Sequence, residues 1–214
     1  MSAPRVQIRG FYGIADLPPA AGPAVARPLG ELLAGAGACV VQLRQKGAEA
    51  ALMLENARAL GAVLLPRGIP LCVNDRLDVA LAAGAAACHL GQEDLPLAAA
   101  RAVAGGRLWI GISTHGRAQA EDALRGGADY LGFGPVFPTT GKADPDPVVG
   151  LEALAEVCRL ARVPVVAIGG ITVARAAEVA AAGASAAAAI GAVLRGSDPA
   201  GAGRAIAAAF ARAG

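Results

Sequence analysis

The chain has 214 residues, of which 55% are hydrophobic, 17% charged and only 3% aromatic, and its formal net charge at pH 7 is +2. This composition is typical of a folded globular protein, and the length allows a substantial core, so we expect a single domain over residues 1–214. The small net charge and the lack of a basic tract argue against nucleic acid and against an anionic membrane surface as partners.

Cysteine usage and hydropathy indicate the cellular compartment. The four cysteines are Cys39, Cys72, Cys88 and Cys158. They show no spacing typical of a metal site, and three of them lie in apolar runs, where a thiol usually behaves as a small buried hydrophobe. We see no signal-peptide pattern, and Glu178 interrupts the alanine-rich run Ala176–Leu194, which argues against a membrane span. These features favour the reducing cytoplasm.

Taken in chain order, short apolar runs typical of strands alternate with segments of helical periodicity. The predicted strands are Phe11–Ala15, Cys39–Leu43, Leu71–Val73, Ala87–Leu90, Leu108–Ile112, Tyr130–Phe133, Val165–Ile168 and Ala186–Ile190. The predicted helices include Ala48–Leu65, Leu77–Ala83, Leu97–Ala104, Arg117–Leu124, Leu151–Ala161, Val173–Ala182 and a last helix with Asp198 as N-cap. Left-handed glycines are predicted to end the helices at Gly37, Gly84, Gly127 and Gly183.

This alternation predicts the fold class. Strands that alternate with helices pair in parallel, and eight such units indicate an α/β protein with a (β/α)8 TIM barrel. A doubly wound open sheet is the alternative, but it would need fewer strands and a nucleotide-binding fingerprint. Neither GxGxxG nor Walker A is present, since Thr140-Gly141-Lys142 is followed by Ala143 and lacks the upstream glycine.

The end of the second strand carries three polar side chains on one face. Gln42, Arg44 and Lys46 are spaced two apart, so they point the same way where the strand leaves the core. Two convergent cations suit a phosphate or a pyrophosphate. The alternative is a strand end finished with solvated charges.

Two aspartates follow the third and fourth strands, Asp75 and Asp94. Catalytic residues of such barrels lie at the C-terminal ends of the strands, so these carboxylates could bind Mg²⁺ together with substrate phosphates and water. The alternative for each is a helix cap, Asp75 for Leu77–Ala83 and Asp94 for the helix entered through Pro96.

The remaining strand ends are also polar or glycine-rich. Ser113 and His115 follow the fifth strand, and each could instead serve as a hydrogen-bonding strand end or a cap. Lys142 lies in the long loop after the sixth strand and could be an ordinary loop lysine. The pairs Gly169-Gly170 and Ile190-Gly191 follow the last two strands, where barrels often hold phosphate on backbone N–H groups, although Gly-Gly is also plain turn chemistry.

Five motifs in series resemble the thiamine phosphate synthase family. They are Gln42-Leu43-Arg44-Gln45-Lys46, Val73-Asn74-Asp75-Arg76-Leu77-Asp78, His89-Leu90-Gly91-Gln92-Glu93-Asp94, Gly134-Pro135-Val136-Phe137-Pro138-Thr139 and Ile168-Gly169-Gly170-Ile171-Thr172. The resemblance implies a (β/α)8 barrel enzyme that joins a hydroxymethylpyrimidine diphosphate to a hydroxyethylthiazole phosphate and releases pyrophosphate. It implies Mg²⁺ as cofactor, a dissociative reaction in which pyrophosphate leaves first, and a homodimer.

The resemblance also implies the roles of individual residues. Gln42, Arg44, Lys46 and Asn74 would contact the pyrimidine diphosphate, Asp75 and Asp94 would bind Mg²⁺, and Ser113 and Lys142 would hold the leaving pyrophosphate. Thr139, Gly170, Ile190 and Gly191 would receive the thiazole phosphate. Arg44, Lys46, Ser113 and Lys142 are therefore the expected catalytic residues.

Two positions depart from the family pattern, and both lie on the thiazole side. Gly141 stands where the family usually has a second threonine, and Gly191 stands where it usually has a serine. Two other functions remain open: a thiazole tautomerase that would use His115 as acid and base, and a non-catalytic sensor of phosphorylated ligands. Retention of both aspartates and three cations favours the synthase over either.

Overall fold

The computed structural model describes residues 7–139 and 146–212. Eight strands form a closed barrel in the order β1 to β8, and β1 pairs with β8 to complete it. The strands are β1 Gly10–Asp16, β2 Ala38–Arg44, β3 Leu71–Asn74, β4 Ala87–Leu90, β5 Trp109–Thr114, β6 Tyr130–Phe133, β7 Val165–Ala167 and β8 Ala186–Ala189. All neighbouring strands are parallel, so the predicted (β/α)8 barrel is confirmed and the open sheet is wrong.

Helices surround the barrel, and those with predicted bounds begin and end close to the predicted residues, whereas α1 and the short α8 were not predicted. They are α1 Pro23–Gly35, α2 Ala50–Leu64, α3 Leu77–Ala83, α4 Leu97–Ala104, α5 Arg117–Arg125, α6 Gly150–Leu160, α7 Ala176–Ala181, the short α8 Gly191–Leu194 and α9 Pro199–Arg212. The side chain of Asp198 accepts a hydrogen bond from the N–H of Gly201 at 2.8 Å, as expected of an N-cap. Within the described parts of the chain, no helix has the length and hydrophobicity needed to cross a bilayer.

The core has two layers, because alternate residues of each strand face opposite sides. The larger layer lies between strands and helices and contains Phe11, Leu43 and Leu131. The smaller layer fills the barrel interior with Tyr12, Val40, Cys72, Tyr130, Val166, Ala186 and Ala188. Cys72 and Cys88 are buried free thiols, and Cys39 and Cys158 are free and half-buried.

Glycines in two strands make room inside the barrel. A Cβ at Gly111 would lie 2.0 Å from Cζ of Tyr130, and a Cβ at Gly132 would lie 2.9 Å from Cε1 of His89. Glycine weakens a strand, so its presence at these two sites indicates that the space is needed by the facing rings. The interior is thereby adapted to two bulky polar side chains directly beneath the C-terminal mouth of the barrel.

Candidate active site

An open cavity of about 850 Å³ lies at the C-terminal mouth of the barrel. Of the twelve site residues predicted from the sequence, eleven line it: Gln42, Arg44, Lys46, Asn74, Asp75, Asp94, Ser113, Thr139, Gly170, Ile190 and Gly191. Lys142 and Gly141 lie outside the described residues. The fold therefore gathers into one cavity side chains that are up to 149 positions apart in sequence, from Gln42 to Gly191.

One side of the cavity, which we call the charged half, is defined by Arg44, Lys46, Asp75 and Asp94. Nζ of Lys46 lies 3.6 Å from Oδ2 of Asp75. Asp75 has φ 64°, a left-handed conformation that only a few per cent of non-glycine residues adopt. Its N–H donates to the carbonyl of His89 at 2.8 Å, which holds the strand ends of β3 and β4 together at this point. An observed backbone outlier of this kind is a mark of functional sites.

The two aspartates of the charged half lie beside each other. The pKa of Asp75 is raised from 3.8 to about 6, first by burial and then by the hydrogen bond and negative charge of Asp94, while Lys46 opposes the shift. Oδ2 of Asp94 accepts the N–H of Gly91 at 2.6 Å, which orients that carboxylate. Two half-buried like charges side by side would be stabilised by a cation between them.

The donor set fits Mg²⁺ with substrate ligands rather than a metal held by protein alone. Within residues 7–139 and 146–212, no group of three or more His, Cys, Asp or Glu side chains could hold a metal ion. Mg²⁺ is commonly bound through one or two carboxylates, with substrate phosphates and water filling its other positions. Asp75 and Asp94 supply that number of carboxylates at the rim of the cavity.

The alternative interpretation of both aspartates as helix caps is wrong. The N-cap of α3 is Arg76 and that of α4 is Pro96, and neither helix start receives a side-chain hydrogen bond. His115 is likewise not the cap of α5, which begins after Gly116. These side chains point into the cavity instead.

Arg44 is held in place by an acidic partner that sequence reasoning did not use. Nη1 of Arg44 donates to Oδ1 of Asp16 at 2.6 Å. The next side chain, Gln45, is buried and donates to the carbonyls of Pro18 and Ala21 at 3.0 and 2.8 Å. Strand β2 therefore aims alternate residues at the cavity while Gln45 anchors the loop after β1.

A row of polar side chains crosses the barrel interior beneath the cavity. Nε2 of Gln42 donates to the hydroxyl of Tyr12 at 3.1 Å, and this hydroxyl lies 3.1 Å from that of Tyr130. Nδ1 of His89 lies 3.0 Å from the Tyr130 hydroxyl, and its Nε2 lies 2.8 Å from Oγ of Ser113. Burial lowers the pKa of His89 from 6.5 to about 4, against an opposing effect of Asp94, so the ring is neutral at pH 7. Sequence reasoning missed both tyrosines and the role of His89.

The other side of the cavity, which we call the glycine half, is defined by Gly169, Gly170, Ile190 and Gly191. Gly170 has φ 66°, and a Cβ there would lie 2.6 Å from the carbonyl oxygen of Pro138. This close approach leaves backbone, rather than side chains, facing the cavity. The sequence signal for this half was the Gly-Gly pair, and the structure places it on the wall as predicted.

Two arginines that sequence reasoning missed flank the glycine half. Arg175 donates to the carbonyl of Gly170 at 2.8 Å, and its guanidinium lies 4.4 Å from the ring centroid of Phe137. Arg195 lines the cavity, and a Cβ at Gly191 would lie 3.9 Å from its Cδ and Nε. Neither arginine belongs to a motif at a strand end, so no local pattern pointed to them.

His115 lies in the cavity wall with both ring nitrogens near protein acceptors. Its Nδ1 lies 2.5 Å from the carbonyl oxygen of Gly134, and its Nε2 lies 3.6 Å from Oδ2 of Asp146. Because a carbonyl can only accept, Nδ1 carries a proton. This arrangement ties the ring to the segments that flank the loop after β6.

Comparisons with known proteins agree on one family. The family model described as thiamine monophosphate synthase matches residues 15–193. The thiamine-phosphate synthase of Chloroflexus aurantiacus is 46% identical over 162 residues, which are 76% of this chain and 74% of that protein. That of Anaeromyxobacter dehalogenans is 48% identical over 165 residues, which are 77% of this chain and 74% of that protein.

Solved structures extend the likeness to nearly the whole chain. Thiamine phosphate pyrophosphorylase from Pyrococcus furiosus superposes with a TM-score of 0.83 at 33% identity and covers 98% of both chains. A 3-hexulose-6-phosphate synthase, at 22% identity and a TM-score of 0.69, shares the fold alone.

Proposed function

The chain belongs to the thiamine monophosphate synthase family, and from this premise we propose that it joins a hydroxymethylpyrimidine diphosphate to a hydroxyethylthiazole phosphate, forming thiamine phosphate and pyrophosphate. The observation that carries the proposal is the charged half of the cavity. Two adjacent carboxylates, Asp75 and Asp94, lie with Arg44 and Lys46 in the same wall. A diphosphate requires both kinds of group, cations directly and carboxylates through a bridging metal.

The chemical step needs charge stabilisation more than it needs a nucleophile from the protein. When pyrophosphate leaves, negative charge gathers on its oxygens, and preorganised cations and hydrogen-bond donors stabilise that charge. Arg44 and Lys46 supply the cations, and Ser113 supplies a hydroxyl in the wall of the same cavity. The salt bridge to Asp16 holds the Arg44 guanidinium in one place before substrate arrives. Lys142 remains a predicted third cation for stabilising the leaving pyrophosphate.

Mg²⁺ would be held by Asp75 and Asp94 and, when bound, would act as a Lewis acid on the leaving diphosphate. The residues themselves bind and orient. Asn74, which lies beside Asp75, and Gln42, at the floor of the cavity, offer amide groups to the pyrimidine part of the substrate.

The glycine half receives the second substrate. Backbone N–H groups at Gly170 and Gly191 can donate to a phosphate monoester without a side chain in the way. Arg195 adds a positive charge beside Gly191, at the position where the family usually has a serine. With its phosphate held there, the thiazole nitrogen would give its electron pair to the methylene carbon from which pyrophosphate has departed, so that a C–N bond replaces the broken C–O bond. Thr139 completes this side of the wall.

The test is formation of thiamine phosphate from the two purified substrates, with Mg²⁺ present or chelated, for the protein and for Asp94→Ala. We expect Mg²⁺-dependent product, and a loss on the order of 100-fold or more in the variant because a metal ligand and a Coulombic partner are removed. Asp122→Ala is the matched control, since Asp122 is exposed and pairs only with Arg125 on the outer face. Tight diphosphate binding without product would contradict the synthase and favour a sensor. Unchanged turnover in Asp94→Ala would contradict the metal site.

The cytoplasmic location and the homodimer stay predictions. Sedimentation of the purified chain would decide the second, since a dimer would have twice the mass of 21.0 kDa.

A further inference from the structure

We propose that Tyr12, Tyr130 and His89 form a directed hydrogen-bond chain that turns the hydroxyl hydrogen of Ser113 toward the cavity, where it donates to the leaving diphosphate. They act as positioning residues, and Ser113 is the catalytic residue they serve. The role of the donor rests on the proposed function, whereas the direction of the chain can be measured without any substrate.

The links of the chain are all of hydrogen-bond length. The heavy-atom distances are 3.1 Å from Gln42 to Tyr12, 3.1 Å from Tyr12 to Tyr130, 3.0 Å from Tyr130 to His89 and 2.8 Å from His89 to Ser113. The middle members are shielded from water, with 2% of Tyr12, 1% of Tyr130 and 8% of His89 exposed. Water therefore does not compete for these groups, and each must satisfy its neighbour.

The first link gives the chain its direction. An amide nitrogen can only donate, so the Tyr12 oxygen accepts from Gln42. The Tyr12 hydrogen then goes to the Tyr130 oxygen, which is a stronger acceptor than the neighbouring Cys72 sulfur. The Tyr130 oxygen then accepts from Tyr12 and donates to Nδ1 of His89. A neutral ring that accepts at Nδ1 carries its proton on Nε2 and donates to Oγ of Ser113. The hydrogen of Ser113 is left to point into the cavity.

The opposite direction would serve the reaction badly. If His89 carried its proton on Nδ1, Nε2 would accept the hydrogen of Ser113, and the hydroxyl would present only lone pairs to an incoming diphosphate. A donor that is already turned toward developing negative charge costs no reorganisation at the moment of reaction. The amide of Gln42 thus sets, through the three side chains between them, the direction in which the hydroxyl hydrogen of Ser113 points.

Cys72 touches the chain without belonging to it. Its Sγ lies 3.5 Å from the Tyr130 oxygen, and either atom could donate. The Tyr130 oxygen has two lone pairs, so it can accept from both Tyr12 and Cys72 while it donates to His89. A thiol sulfur is only a weak acceptor, so the Tyr130 hydroxyl donates to Nδ1 of His89 rather than to Sγ, and the direction of the hydrogen-bond chain is kept.

The barrel is built around these rings. Gly111 faces the Tyr130 ring and Gly132 faces the His89 ring, and a Cβ at either position would collide with them. Ser113 pairs in register with Gly132, and Gly111 pairs with His89. Phenylalanine would fill the space of either tyrosine, so the hydroxyls, rather than the volume, need an explanation.

The direction is tested by the ¹⁵N NMR spectrum of imidazole nitrogens at pH 7 in the protein without substrate. The protein has two histidines, so the His89 signals are assigned by their loss in His89→Gln. We expect a protonated Nε2 and an unprotonated Nδ1 in the unmodified protein. We expect Tyr130→Phe, which removes the donor to Nδ1 together with the contacts of the same hydroxyl to Tyr12 and Cys72, to shift the ring toward the other tautomer. A proton found on Nδ1 in the unmodified protein would overturn the proposal.

The role is tested by a double-mutant cycle in the synthase assay. Tyr130→Phe should lower kcat about 10-fold, as for loss of one hydrogen bond to a charged group, with little change in KM for the thiazole phosphate. In a Ser113→Ala background the same change should have no further effect, because the chain acts only through that hydroxyl. Equal losses in both backgrounds would overturn the positioning role.

Two further variants keep the test decisive. Tyr12→Phe breaks the chain one link earlier and should reproduce the tautomer shift in weaker form, even if Tyr130→Phe does not fold. Cys72→Ala also removes a contact to the Tyr130 hydroxyl and should leave the tautomer and kcat unchanged, so an equal effect there would contradict the chain. If the unmodified protein forms no product, the synthase proposal and the donor role both fail, and the NMR result alone then decides the direction of the chain.

Discussion

The charged half of the cavity presents side chains, whereas the glycine half presents mainly backbone. In the first, the charged groups come from the ends of β2, β3 and β4, and each is oriented by a partner: Asp16 for Arg44, Lys46 for Asp75 and the Gly91 N–H for Asp94. In the second, Gly170 lies against Pro138, and Arg175 and Arg195, which lie beyond the strand ends, flank it with positive charge. Binding in the charged half therefore depends on which side chains are present, and binding in the glycine half depends on the backbone conformation.

This difference has a chemical reason. A metal-bridged diphosphate needs formal charges of both signs at set positions, which only side chains supply. A phosphate monoester can be held by several N–H dipoles at once. Substitutions should therefore act differently on the two halves, with loss of charge decisive in the first and added volume decisive in the second.

The largest effect is expected from Asp75→Asn in the charged half. The amide keeps the shape but loses the charge, so we expect turnover to fall on the order of 100-fold to 1000-fold. Asp78→Asn is the control, because Asp78 lies three residues along the chain and pairs with Arg76 at the surface. Steady-state rates at saturating substrates would check this, and comparable losses in both variants would sink the assignment of Asp75.

The next effect concerns stability and pH, and it arises where the charged half meets the barrel interior. The pKa of His89 is lowered by burial to about 4 in the folded protein, whereas the unfolded chain titrates near 6.5. Between pH 6.5 and pH 4 the imidazole is protonated in the unfolded state but not in the folded state. The stability that comes from burying a neutral His89 is therefore complete above pH 6.5 and is lost as the pH falls toward 4. The loss amounts to about 3 kcal/mol.

Denaturant unfolding of the protein and of His89→Gln at pH 7 and pH 4.5 would measure this. Asp75 acts in the opposite direction, since its pKa is raised to about 6 and protonation below that pH favours the folded state. Its contribution cancels when the two proteins are compared at each pH. We expect the unmodified protein to lose more stability on acidification than the variant, and two parallel pH profiles would refute the prediction.

A smaller effect is expected from Gly170→Ala in the glycine half. The added Cβ would lie 2.6 Å from the Pro138 oxygen and 2.8 Å from Cβ of Phe137, so the backbone at this wall of the cavity must shift. We expect KM for the thiazole phosphate to rise roughly 10-fold to 100-fold, because displacement of a binding wall by about 1 Å is costly, while diphosphate affinity is unchanged.

Gly105→Ala separates this clash from backbone strain. Gly105 also has a positive φ, 57°, but no atom lies within 4 Å of the added Cβ. Both variants should lose about 1 kcal/mol of stability from the left-handed conformation, and Gly170→Ala should lose more because of its clash. Only Gly170→Ala should lose thiazole affinity, and a weakened diphosphate affinity in that variant would show that the two halves are not separable.

The smallest effect is expected from Arg195→Ala. Arg195 is exposed, so loss of its charge beside Gly191 should raise KM for the thiazole phosphate only about 5-fold. Gly191→Ser should restore part of this loss, because a serine hydroxyl would supply the missing donor and a Cβ fits there at 3.9 Å from Arg195. Arg159→Ala, on the outer helix α6, is the control. No change in KM for Arg195→Ala would remove this arginine from the phosphate site.

The sequence predicted the barrel and most of the cavity wall, because both follow from short-range patterns of apolar, polar and glycine residues. Burial on both faces makes each strand a continuous apolar run, and the glycines at 37, 84, 127 and 183 take the positive φ values that end helices. The parallel strands of a barrel all end at the same rim, so polar residues at the strand ends necessarily lie near one another. The motifs resembling thiamine phosphate synthase lie at these same positions, which is why the two kinds of argument agreed.

Three features were decided only by the tertiary structure. Tyr12, Tyr130 and His89 are single residues in separate apolar strands. Their neighbours in sequence do not show whether such a buried polar side chain only fills space or belongs to a hydrogen-bond network. Arg175 and Arg195 reach the cavity from positions that follow the strand ends by several residues, and their direction depends on how α7 and α8 pack. Asp75 was predicted as a metal ligand with a helix cap as the alternative, and only the tertiary structure shows its left-handed backbone and its place beside Lys46 and Asp94.

By itself, then, the amino-acid sequence determined the number of strands, their order and the chemistry available at one end of the barrel, since hydrophobic periodicity and turn residues act over a few neighbouring positions. The tertiary structure decided which side chains meet across the interior and which way each donor points. Hydrogen bonds are directional and short, so a shift of one residue in strand register would separate His89 from Ser113. That register is set by the closure of all eight strands together.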